Sequence, residues 1–136
     1  MAVLRNAEQD SAFAKSHPGT FRAAVAFYPN CSGISGIMAV PTLVLTGELD
    51  DWTPAKECQA MAEGRSDIGL SRKEGDRSMV SLVVYPGVYH YFNSQIMRSA
   101  QVKGVRFMGH WLEYNGDADK DSAEKVKEFF QSKLQP

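Results

Sequence analysis

Three short runs along the chain are almost continuously apolar: Ala23-Ala24-Val25-Ala26-Phe27-Tyr28, Thr42-Leu43-Val44-Leu45-Thr46 and Val80-Ser81-Leu82-Val83-Val84-Tyr85. Their polar and apolar positions do not alternate, which is the pattern of strands covered on both faces of a parallel sheet. Pro29 and Pro86 end the first and third runs, and Pro41 and Gly47 bracket the second. Around these runs the period becomes helical. Residues 1–15 read as one Ala-rich helix. Residues 54–63 read as a compact helix with Thr53 as its N-cap and Pro54 in its first turn. Ala123, Val126, Phe129, Phe130 and Leu134 recur among Lys and Glu, which predicts an amphipathic helix over 119–134. A weaker period through Val102, Val105, Phe107 and Trp111 predicts another over about 99–113. The segment 64–79, polar and carrying Gly64, Gly69 and Gly75, reads as a surface excursion. Strands alternating with helices predict an α/β layer fold, with three parallel strands and flanking helices.

Composition narrows the function classes. A chain of 136 residues fits a single domain. The formal net charge is −1 and the Lys and Arg residues are scattered, so there is no electrostatic footprint for nucleic acid. No apolar run reaches bilayer length, and the N-terminus turns polar too soon for a visible signal peptide, so no membrane partner is expected. The two cysteines, Cys31 and Cys58, lack metal-ligand spacing, and neither a metal nor an organic cofactor is expected. They read most simply as two independent thiols. A disulfide between them requires the first two strands to be adjacent and parallel, and would suit an exported protein.

Candidate chemistry follows from the parallel sheet, because ligands sit beyond the carboxyl ends of its strands. Gly47-Glu48-Leu49-Asp50-Asp51-Trp52-Thr53-Pro54 follows the second strand, and Pro86-Gly87-Val88-Tyr89-His90-Tyr91-Phe92 follows the third. If these strands are neighbours, an acid and a histidine share one edge. A carboxylate there can accept from one imidazole nitrogen and leave the other as a general base. The residue types alone do not choose between Asp50, which could equally cap the next helix, and its neighbour Asp51. His17, beside Pro18-Gly19, reads as a surface residue. His110, beside Trp111 and Leu112, reads as a packed one.

Phe27-Tyr28-Pro29, the segments 47–54 and 85–92, and the tail from Gly109-His110 through Tyr114 to Phe129-Phe130 together resemble the C-terminal motifs of dienelactone hydrolases, α/β-hydrolases that cleave esters and lactones. The resemblance covers most of residues 20–134. It implies the C-terminal part of an α/β-hydrolase fold, with Asp50 as triad acid, His90 as triad histidine and a small ester or lactone as substrate.

The nucleophile of such hydrolases sits in a G-x-S-x-G or G-x-C-x-G elbow upstream of the acid. The sequence holds no such elbow. The nearest approach, Cys31-Ser32-Gly33-Ile34-Ser35-Gly36, has the wrong spacing; Cys31 or Ser32 is a surrogate nucleophile at best. The resemblance therefore implies a single, truncated domain (residues 1–136) that lacks the N-terminal strands and the oxyanion hole. The edge of strand 23–28 would then invite homodimerisation or association. Two further readings compete with a hydrolase. One is a non-catalytic binding or assembly module, or an inactive fragment, of the same fold, since the acid and histidine lack a nucleophile and the isolated chain is then expected to be inactive. The other is a flavodoxin-like domain, for which no phosphate-cradling loop is evident.

Overall fold

The computed structural model describes residues 2–65 and 73–136. Strands β1 (Ala24–Phe27), β2 (Thr42–Gly47) and β3 (Val80–Tyr85) form one sheet in the order β1-β2-β3. Both pairings are parallel, with Ala24 opposite Thr42 and Thr42 opposite Val80. All six residues of β2 are buried, as its unbroken apolar run requires. The two flanking strands are less covered: β1 alternates buried and half-buried positions, and in β3 Ser81 is exposed and the rest half-buried. The expectation of strands covered on both faces thus holds fully only for the central one. On the outer side of β1, no strand pairs among the described residues.

Alternation along β2 divides the core between the two faces of the sheet. Val44 joins Leu4, Ala7, Ala24, Ala26, Ile34, Met38 and Met61 on one side. Helices α1 (Ala2–Ala7) and α3 (Ala55–Glu63) supply Leu4 and Met61 to that layer. Leu43 and Leu45 join Val88, Phe92 and Ala118 on the other, where α5 (Gly116–Lys133) adds Val126 and Phe129. The result is the α/β layering read from the sequence.

Four local readings need correction. The single helix expected over 1–15 is two, α1 and α2 (Ala12–Ser16). Between them Glu8 makes an isolated bridge with Met38, the Gln9 N–H donates to Ile37 O at 2.9 Å, and Ser11 Oγ caps α2 by accepting from Ala14 N at 3.0 Å. The helix expected over 99–113 is absent. Helix α4 (Gln95–Ser99) ends first, and an antiparallel hairpin follows, β4 (Gly104–Phe107) with β5 (His110–Glu113). Its two turn residues, Met108 (φ 49°) and Gly109 (φ 82°), are both left-handed, which suits a two-residue hairpin turn. Helix α5 starts at Gly116 rather than 119, because Asn115 Oδ1 accepts from Ala118 N at 3.0 Å. The cysteines are not independent thiols. Cys31 and Cys58 form a disulfide (Cα–Cα 5.0 Å) between the loop after β1 and α3, since parallel pairing of β1 and β2 brings both to one edge. Part of the excursion at 64–79, residues 66–72, lies outside the described residues.

Thr46 is fully buried in β2, and its hydroxyl has no hydrogen-bond partner among the described residues. Thr46→Val is therefore expected to stabilise the fold by about 1 kcal/mol, since it removes an unsatisfied buried group at nearly constant volume. A urea midpoint below that of the wild type would contradict this.

Candidate active site

The loops after β2 and β3 are fastened to each other before either presents a functional group. Leu49 N donates to Val88 O and Glu48 N to Tyr85 O, both at 2.9 Å. The Gly87 N–H donates to Glu48 Oε2 at 2.8 Å. Gly47 makes this approach possible, because a Cβ there would lie 2.2 Å from the Val88 carbonyl oxygen. Across this junction His90 Nδ1 lies 2.6 Å from Asp50 Oδ2.

Both side chains are deeply placed: Asp50 is 0% exposed and His90 10%. A buried carboxylate is tolerated only when its lone pairs are engaged. Asp50 Oδ1 accepts from Trp52 N at 2.9 Å and Thr53 N at 2.8 Å, an Asx-type turn. Oδ2 faces His90 Nδ1 and also lies 3.0 Å from Thr53 Oγ1. The acid is thus held rigidly, and with it the rotation of the imidazole. From the other side, Glu113 N donates to the His90 carbonyl at 3.1 Å, and His90 bridges to Leu112, so β5 fixes the histidine backbone. His90 Nε2 makes no hydrogen bond among the described residues.

Aromatic rings pack around the imidazole. Tyr28 lies 4.4 Å from it, Trp52 5.3 Å and Tyr91 5.8 Å, between ring centroids. Tyr28 (φ 35°) and Tyr91 (φ 68°) both have left-handed backbones, which cost a side-chain-bearing residue about 1–2 kcal/mol each. Tyr28 is locked by its N–H to Leu45 O at 2.7 Å and its hydroxyl to Asn93 Oδ1 at 2.8 Å. Burial, then the charges of Tyr91 and Asp50, push its phenol up to about 12, so it stays a neutral donor. Beside the histidine, Trp52, Tyr91, Phe107 and Leu112 line an apolar recess of about 260 Å³. A larger pocket of about 340 Å³ lies by Phe13, His17, Phe21 and Val40, at the opposite, amino end of the sheet.

The remaining candidates lie apart from this pair. Asp51 is half-exposed and turns to the hairpin, where its carboxylate oxygens accept from Trp111 N at 3.3 and 3.4 Å. His110 packs flat on Trp52 at 4.8 Å. His17 is exposed and stacks on Phe13. Cys31 has no free thiol, so it is withdrawn as a surrogate nucleophile. Ser32 is exposed, its N–H donating to Asn30 Oδ1, and it makes no hydrogen bond to His90 among the described residues. Nor do the described residues contain a cluster of three or more His, Cys, Asp or Glu side chains able to hold a metal.

Sequence reasoning missed Tyr28, Trp52 and Thr53. Thr53 was expected to cap α3, yet that helix begins without a side-chain cap and the Thr53 hydroxyl turns to the acid–histidine pair. The available signal was Asp50 itself: an aspartate that accepts the N–H groups two and three residues on must draw residue 53 towards it.

A model of the dienelactone hydrolase family matches residues 10–134, nearly the whole chain. No curated protein and no solved structure matches it.

Proposed function

The chain belongs to the dienelactone hydrolase family, and from that premise we propose that Asp50 and His90 are the acid and general base of a carboxylic-ester or lactone hydrolase. The observation that carries this reading is the buried 2.6 Å contact between them, with His90 Nε2 making no hydrogen bond among the described residues. Nε2 takes a proton from the attacking oxygen as that oxygen adds to the carbonyl carbon. Asp50 accepts from Nδ1–H and stabilises the imidazolium, and the proton then passes to the leaving oxygen as the acyl–oxygen bond breaks. The recess of Trp52, Tyr91, Phe107 and Leu112 suits an apolar part of the substrate.

With no nucleophile elbow in the sequence, the attacking group in this chain is water. Water attack assisted by a general base suffices for an ester whose leaving group departs unaided. An alkyl ester, whose alkoxide leaves poorly, reacts far more slowly without a covalent nucleophile and oxyanion donors. We therefore expect p-nitrophenyl acetate to be hydrolysed and ethyl acetate not. Failure with every activated ester tried would sink the proposal.

A second reading rests on the outer edge of β1, which no strand pairs among the described residues: a module that associates through residues 23–28, as a homodimer or with another strand. A monodisperse monomer in sedimentation at micromolar concentration would contradict it. The Cys31–Cys58 bond favours an oxidising compartment for either role.

A further inference from the structure

We infer that Thr53 is a positioning residue for His90, its hydroxyl acting with Asp50 to hold the imidazole proton on Nδ1. Thr53 Oγ1 lies 2.8 Å from the Tyr28 carbonyl oxygen, 3.0 Å from Asp50 Oδ2 and 3.1 Å from His90 Nδ1. A hydroxyl has one proton and two lone pairs. The Tyr28 carbonyl can only accept, and it offers the shortest of the three contacts. When Thr53 donates to it, the Oγ1 lone pairs face Nδ1. The nitrogen then meets two acceptors, Thr53 Oγ1 and Asp50 Oδ2, and both require the proton on Nδ1.

The other tautomer breaks this arrangement at two points. A bare Nδ1 would face Asp50 Oδ2 at 2.6 Å with no proton between them. It would also call the Thr53 hydroxyl away from Tyr28, leaving that carbonyl without this donor. The consequence lies on the opposite side of the ring, where Nε2 keeps the lone pair that general-base catalysis uses. Tyr28 takes part through its backbone. Its left-handed conformation (φ 35°), directly after β1, belongs to the turn that carries this carbonyl to Thr53. Thr53 is not the missing nucleophile, because its oxygen sits on the Nδ1 side, where the imidazole proton is already given to Asp50.

For catalysis this inference rests on the hydrolase reading, but its primary test does not need turnover. Uniformly ¹⁵N-labelled chain is compared with Thr53→Val, Thr53→Ala and Thr53→Ser by two-bond proton–nitrogen correlation at alkaline pH, where imidazoles are neutral. His90 is assigned from the signals lost in His90→Gln. The expected result is a protonated Nδ1 and a bare Nε2 in the wild type and Thr53→Ser. In Thr53→Val and Thr53→Ala the two nitrogen shifts should move towards each other as the second tautomer is populated. Loss of one such hydrogen bond should also lower kcat for p-nitrophenyl acetate about tenfold, with KM unchanged and Thr53→Ser restoring the rate. Wild-type nitrogen shifts in the Val and Ala variants would overturn the inference, and so would a Ser variant that behaves like Val. The nitrogen shifts decide it whether or not hydrolysis is observed.

Discussion

Asp50→Ala is expected to lower the unfolding free energy by about 3 kcal/mol, because it leaves several buried donors without their acceptor. The variant takes its acceptor from three donors at once: the N–H groups of Trp52 and Thr53 and His90 Nδ1. None is on an open surface, so each loses part of its hydrogen bonding without full recovery from solvent. The same substitution should reduce His90-dependent ester hydrolysis by about 10²-fold or more, since the imidazole loses both its orientation and the stabilisation of its cation. Asp51→Ala is the internal control. Its carboxylate is 47% exposed and holds only the hairpin, so it should cost less than about 1 kcal/mol. Urea midpoints of the two variants check both statements. Equal midpoints would contradict the division of roles between the neighbouring aspartates.

The disulfide carries a loss of similar size. Cys31 and Cys58 are separated by 27 residues, and closing a loop of that length in the unfolded chain corresponds to about 3.5 kcal/mol on the chain-entropy model. Both residues are buried, and the bond ties α3 to the loop after β1. The double variant Cys31→Ala, Cys58→Ala is therefore expected to unfold at markedly lower urea, at the same midpoint as the reduced wild type. Two titratable thiols in the denatured, unreduced wild type would contradict the bond itself.

The parts of this fold that were legible in the sequence are those fixed by local pattern. The run Thr42–Thr46 is apolar at almost every position because both faces of β2 are covered, and that pattern gives the strand, its parallel neighbours and the placement of Asp50 and His90 at one edge. Residues 99–113 show where pattern misleads. Val102, Val105 and Phe107 are partly exposed, so their spacing reports no buried helical face. The informative pair was Met108-Gly109, whose left-handed turn reverses the chain into a hairpin. The split at Glu8–Ser11 was hidden for another reason: the competing bridge is to Met38, far along the chain. Thr53 illustrates the same limit at the site. A threonine before a proline-led helix reads as a cap, and only the tertiary placement of Asp50, His90 and the Tyr28 carbonyl redirects its hydroxyl. The cysteine pairing likewise depended on strand adjacency, which spacing alone does not contain.

The most direct test of the proposed general base is the rate of p-nitrophenyl acetate hydrolysis by the purified chain beside His90→Ala under identical conditions. The expected result is wild-type turnover above the buffer rate and its loss in the variant, with a difference on the order of 10²-fold or more. Equal rates in the two proteins would contradict a catalytic role for the Asp50–His90 pair and leave association through β1 as the better-supported function.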